Sequence, residues 1–118
     1  MKLFAYGSLT SRRRLEELLG RAMEEPEAAV LRGYRVFHSP PLGYLLLLPQ
    51  EGAVTRGFLW EIRPEEFPVL DRYEGCDEDP PLYFRRSLEV EVNGRLVPAQ
   101  VYVGNPEAWP LDELQPEE

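Results

Sequence analysis

The chain has 118 residues, 43% of them hydrophobic, and a formal net charge of −8. That length fits one domain with a sizeable core, and the acidic balance argues against nucleic acid and anionic membrane as partners. One cysteine and one histidine exclude an internal disulfide and a structural zinc site built within the chain.

Residues 3–6 read as a short buried strand that runs into Gly7-Ser8. A helix is predicted over residues 12–20, with Leu15, Leu18 and Leu19 at helical spacing and Gly20 as its stop. Residues 28–31 and 34–38 read as two strands separated by Arg32-Gly33. After a proline loop, residues 44–48 read as a central strand. Gln50-Glu51-Gly52 then turns the chain into a strand over residues 54–62. Gly57 inside that strand marks a bulge or a close backbone approach. A second short helix begins at Pro64, with acids in its first turn. Residues 83–92 and 96–103 form a hairpin about Asn93-Gly94, a strong type I′ signal. Pro98 suggests an edge or a bulge. The fold class expected is α+β, a small mixed, mostly antiparallel, barrel-like sheet with two short helices. Residues 1–104 would form the domain, and residues 105–118 an acidic, proline-rich, peripheral tail. The apolar run in residues 1–6 is too short for a signal peptide, and residues 44–48 are too few to span a bilayer. The expectation is a cytoplasmic protein.

Two segments carry chemistry. Tyr6-Gly7-Ser8-Leu9 is a strand–glycine–helix junction, which presents bare backbone N–H groups where an anion is favoured. Leu70-Asp71-Arg72-Tyr73-Glu74-Gly75 offers a carboxylate beside an aromatic and just past the apolar residues 67–70. Each has a plainer reading: Gly7 as a turn glycine, Ser8 as a helix cap, Glu74 as a solvated charge, and Asp71 as a structural partner near the helix end, with Arg85 pairing with Asp71 or another acid. Arg12, Arg13 and Arg14 oppose the dipole of the helix they begin, so they are a solvated face or a guide for an anionic substrate. Asp77-Glu78-Asp79 lacks calcium-loop spacing. It reads as a solvated loop that lids the pocket and disfavours acidic leaving groups. Nothing in the sequence brings Cys76 and His38 together as a nucleophile pair.

In order along the chain come Tyr6-Gly7-Ser8-Leu9, Gly57-x-x-Trp60-x-Ile62 and Leu70-Asp71-x-Tyr73-Glu74-Gly75. Tyr83-x-Arg85 and Ala99-x-Val101-Tyr102-Val103 follow. Together these segments resemble the γ-glutamylcyclotransferase-like family, which includes the AIG2-like proteins and γ-glutamylamine cyclotransferases. The resemblance runs over about residues 3–103. It implies a small mixed barrel with a pocket at one end. It also implies a cofactor-independent, metal-free ring closure of a small γ-glutamyl substrate, releasing 5-oxoproline and an amine or amino acid. By resemblance, Glu74 is the acid/base residue, and Tyr6, Gly7, Ser8 and Leu9 form the substrate cradle, with Tyr83 lining the pocket. The alternative is a non-catalytic module that binds a glutamyl-like metabolite or a peptide end.

Overall fold

The computed structural model describes residues 1–39, 43–109 and 114–116. Its strands are β1 (Lys2–Ala5), β2 (Glu27–Ser39), β3 (Tyr44–Glu61), β4 (Tyr83–Val92), β5 (Arg95–Gly104) and the short β6 (Gln115–Pro116). Two helices, α1 (Arg12–Leu19) and α2 (Phe67–Tyr73), interrupt them. The sheet order is β3-β1-β5-β4-β2-β6, and β2 also pairs with β3. Five strands therefore close into a barrel, with β6 appended to β2. Among the described residues only β1 and β5 run parallel; the other pairings are antiparallel.

Two corrections to the strand reading follow. The stretches at 28–31 and 34–38 are one strand, β2, and those at 44–48 and 54–62 are one strand, β3. The turn signals between them mark an irregularity inside a single long hairpin. Arg32 pairs with Val54 and Tyr34 with Pro49, so Gly33 alone faces residues 50–53 looped out of β3. Gly33 (φ 87°) and Gly52 (φ 81°) take the left-handed conformation that this bend requires. Residues 40–42 of the expected proline loop lie outside the described residues.

Alternation along the strands builds two cores. Phe4, Leu31, Leu47, Leu59, Val90 and Val101 pack together within the barrel. Leu3, Leu46 and Trp60 point the other way and meet Leu15 of α1 with Phe67 and Leu70 of α2. Each such buried side chain contributes roughly 1.5–3 kcal/mol from area removed from water. Gly57 shows the close approach expected of it: a Cβ there would collide with the Ala5 carbonyl oxygen and sit 2.8 Å from the Phe4 ring. Pro98 pairs with Glu89 of β4, beyond the β5 residues that meet β1. It therefore has a strand neighbour on one side only.

The helix signals hold closely. Ser11 caps α1, its side chain accepting from the Arg14 N–H, and Gly20 ends it at φ 68°. Arg21 then grips Glu66 through two hydrogen bonds of 2.6 and 2.8 Å, fastening the exit of α1 to the approach of α2. The segment expected to be peripheral begins inside the body. Asn105 and Trp109 are buried, and the Trp109 indole N–H donates to the Leu82 carbonyl at 2.9 Å. Among the described residues, no helix is long and apolar enough to cross a membrane.

Candidate active site

The chain leaves β1 at Tyr6, turns at Gly7, and makes one 3-10 turn over Ser8–Thr10 before α1. Thr10 locks the turn, its hydroxyl donating to the Gly7 carbonyl at 2.6 Å. The N–H groups at the start of such a turn have no partner within it. Among the described residues, those of Ser8 and Leu9 donate to no backbone acceptor outside regular structure.

At the other end of the sequence motif, α2 stops in a Schellman arrangement. The Gly75 N–H donates to the Arg72 carbonyl and the Cys76 N–H to the Asp71 carbonyl, at 3.1 and 2.9 Å. Gly75 sits at φ 74° against the Leu82 side chain, so the glycine that closes the Tyr-Glu-Gly sequence is dictated by the helix stop. The preceding residue, Glu74, is thereby fixed as the C-cap of α2 (φ −82°, ψ −3°).

Both segments wall one cavity of about 290 Å³, lined by Tyr6, Gly7, Ser8, Leu9, Tyr73 and Glu74 together with Phe4, Ala5, Gly43, Tyr44, Leu45 and Tyr102. The sequence-predicted base and cradle thus meet, although more than 60 residues separate them. Burial pushes the Glu74 carboxyl up to about 7. Its seat at a helix C-terminus works in the same direction. Tyr6 stays protonated, raised by burial and then by its neighbours Tyr83 and Glu74. Its hydroxyl donates to the Tyr102 carbonyl at 2.6 Å.

Ser8 receives a hydrogen bond from the Tyr73 hydroxyl at 3.1 Å, and that hydroxyl in turn accepts from Arg14 Nη1 at 2.9 Å. The relay leaves the Ser8 proton available to donate into the cavity. It also divides the arginine cluster. Arg12 pairs with Glu25 and Arg13 with Glu17, while Arg14 reaches a residue of the cavity wall.

Tyr83 is placed differently from the expectation. It is buried, and its hydroxyl donates to the Leu45 carbonyl at 2.6 Å. It stands behind the wall that Leu45 forms and is not itself a lining residue. Trp109 packs edge-on against both Tyr83 and Tyr44 and braces that wall. The acidic residues Asp77, Glu78 and Asp79 are exposed and contribute nothing to the lining, so the lid assigned to them is not part of the cavity. Arg85 is paired with Asp71 at 2.9 Å. Burial holds the Cys76 thiol up at about 11, which keeps it protonated and unreactive. Among the described residues, no group of three or more His, Cys, Asp or Glu could hold a metal.

Sequence reasoning missed Tyr44 and Leu45, which reach the cavity only because the long β2–β3 hairpin folds over it. Tyr102 carried a signal, since its segment belongs to the ordered motif set.

The chain is similar to known proteins over nearly its whole length. The family described as gamma-glutamyl cyclotransferase, AIG2-like, matches residues 3–118. A Methanocaldococcus jannaschii protein is 32% identical over 104 residues, covering 86% of this chain and 45% of that protein. It is named gamma-glutamylcyclotransferase, with a second, provisional RNase designation. The chain therefore spans less than half of that curated relative. An Arabidopsis thaliana protein solved in solution shares the fold with a TM-score of 0.79, at 23% identity over 95% of this chain and 72% of its own. A Mus musculus AIG2-like protein gives 0.70 at 22% identity, over 90% and 80% of the two chains. A solved gamma-glutamyl cyclotransferase gives 0.74 at 16% identity, over 98% and 69%. With the Tyr-Gly-Ser-Leu turn and the Tyr-Glu-Gly segment walling one cavity, and the family match running from residue 3 to residue 118, the chain belongs to the AIG2-like γ-glutamyl cyclotransferase family.

Proposed function

We propose that the protein closes γ-glutamyl compounds into 5-oxoproline, with release of the amine or amino acid they carried. The observation that carries this reading is one half-buried carboxyl, Glu74, set near neutrality in a small cavity together with the Ser8 and Leu9 N–H groups, which among the described residues donate to no backbone acceptor outside regular structure. The α-ammonium of the substrate gives a proton to the Glu74 carboxylate. The freed amine attacks the γ-amide carbonyl carbon of the same molecule, and a tetrahedral oxyanion forms. The C–N bond to the leaving amine then breaks as Glu74 returns the proton to that nitrogen, and the ring nitrogen gives up its second proton, which the departing amine carries away as an ammonium. No water is consumed, and every atom of the substrate appears in the two products.

The magnitudes favour Glu74 for this work. An α-ammonium titrates at about 8 or above, so a base at about 7 takes its proton for little more than about 1 kcal/mol. An ordinary glutamate, more than 3 pH lower, would face roughly 5 kcal/mol. The Ser8 and Leu9 N–H groups are donors for the substrate's anionic oxygens, either the α-carboxylate or the developing oxyanion. Folding the glutamyl chain back on itself is the larger part of the task, and the cavity is small enough to enforce it.

The test is 5-oxoproline release from a panel of γ-glutamyl amino acids, γ-glutamyl amines, the γ-glutamyl-lysine isopeptide and glutathione. Release from at least one member, matched by free amine, is expected. Binding without release from any member would overturn the reading in favour of a binding module. The pH dependence is also fixed in sign. The base acts as a carboxylate, so kcat/KM should rise through an acidic limb near pH 7 and level off above it.

Arg14→Gln tests the relay. It removes one charge-assisted bond to Tyr73 and leaves Glu74 in place. KM should rise by about 3- to 10-fold, the worth of one such bond, with kcat nearly unchanged. Steady-state kinetics at two salt concentrations would show it, and an unchanged KM would remove Arg14 from substrate recognition.

A further inference from the structure

We propose that Asp71, Arg85 and Tyr102 form a charge-compensated bracket that positions Glu74 for catalysis. The proposal rests on the reading of Glu74 as the base. Helical spacing puts Phe67, Leu70, Asp71 and Glu74 on one face of α2 and its last turn, toward the barrel. One turn before Glu74, the Asp71 carboxylate accepts from Arg85 Nε at 2.9 Å and from the Tyr102 hydroxyl at 2.7 Å. Arg85 reaches further, donating through Nη1 to Gln100 at 2.7 Å and lying 4.5 Å over the Phe67 ring. The cation is therefore held by groups on α2 and β5, from its own place on β4. Tyr102 lines the cavity, and its carbonyl anchors the Tyr6 hydroxyl. A continuous set of short contacts joins the helix that ends in the base to the strand that begins the cradle.

The bracket also sets charge. The titratable groups around Glu74 are Tyr6 just past β1, Tyr44 of β3, Tyr73 of α2 and Tyr83 of β4, together with Cys76; burial keeps Tyr6, Tyr83 and Cys76 protonated. Beyond them stand Arg14 of α1 at the Tyr73 hydroxyl, and Asp71, Arg85 and Asp77, which with Glu74 surround Cys76. An unpaired Asp71 anion one turn from Glu74 would oppose its ionisation, and an unpaired Arg85 would favour it. Paired, they cancel, and burial together with the helix end governs the base.

Opposite pH shifts test this. Arg85→Met should move the acidic limb of kcat/KM up by about 0.5 to 1 pH, and Asp71→Asn should move it down by a similar amount. The double variant should return the limb to its original place. All three should lower kcat by about 10- to 100-fold, with KM changed by less than about threefold, because geometry at the base is lost and the cradle is kept. Tyr102→Phe keeps the ring and removes a neutral partner, so it should lower kcat with no shift of the limb. Following the Glu74 carboxyl carbon by NMR titration reads the same shifts without turnover. Where Arg85→Met does not fold, Arg85→Lys with Tyr102→Phe carries the comparison. Equal limbs in the two single variants, or shifts of the same sign, would overturn the bracket. Full activity in Glu74→Gln would instead remove the base itself, so the two failures are separable.

Discussion

Glu74→Gln should abolish 5-oxoproline release and at the same time make the protein more stable at pH 8. The loss of activity should be about 10²- to 10⁴-fold, since the amide keeps the shape of the side chain and cannot take the ammonium proton. The stability gain follows from the direction of the shift. The carboxyl titrates at 4.5 unperturbed and at about 7 in the folded protein, so between those values the native state binds more protons than the unfolded chain. Stability contributed by this group therefore falls as pH rises through that window, and the full cost is present above about 7. For a shift of that size the cost is at most about 3 kcal/mol, less for the water that reaches a partly exposed side chain. The glutamine avoids it. Thermal melts of the two proteins should differ by several degrees at pH 8 and converge near pH 4. A mutant no more stable than the parent at pH 8 would show that Glu74 is an ordinary solvated carboxylate. A more stable mutant would instead mark the native residue as one kept for chemistry against stability.

Gly57→Ala should be the most damaging small change outside the cavity. The added methyl would lie on the Ala5 carbonyl and against the Phe4 ring, and both residues are almost fully buried. Neither can retreat. Ala5 is paired through β1 to Phe58 of β3, while Phe4 fills the barrel interior. Overpacking of this kind costs about 1–3 kcal/mol, and the strand that gives way carries Tyr6 and Gly7 at its end. A fall of roughly 5 to 10 °C in Tm is expected, with a parallel loss of kcat although residue 57 touches no substrate. Gly20→Ala is the comparison: its Cβ meets nothing, so only the left-handed backbone is strained, at about 1 kcal/mol. Equal melts for the two variants would show that β1 and β3 tolerate separation.

The parts of the fold legible in the sequence were those fixed by local chemistry. Ser11 and Gly20 bound α1 because a cap and a left-handed stop are short-range requirements. Asn93 (φ 51°) and Gly94 (φ 78°) turn the β4–β5 hairpin for the same reason. What local signals could not separate was a turn from a bend. Arg32-Gly33 and Gln50-Glu51-Gly52 carry ordinary turn residues, yet the strands continue through them because each is paired with the other on both sides. The candidate site divides the same way. Glu74 and the Tyr6 to Leu9 turn stand in recognisable segments, whereas Tyr83 depended on strand phase. Odd residues of β4 near its start face the helices, so Tyr83 supports the wall through Leu45. Asp71 and Arg85 were visible as partners, but their joint hold on Tyr102 required β5 to be placed.

The parallel pairing of β1 with β5 has a consequence for how the protein is made. Among the strands of this domain β1 is made before the others, and its partners are Phe58 to Glu61 on one side and Gln100 with Val101 on the other. Until β5 has been synthesised, the turn at Tyr6 to Leu9 hangs from a strand whose second edge lacks its partner. The loop to be closed runs from Phe4 to Val101, and such high contact order makes the last step of folding the slow one. Chains truncated before β5 should therefore be devoid of activity and prone to edge-to-edge association, although they contain Glu74 and all four cradle residues.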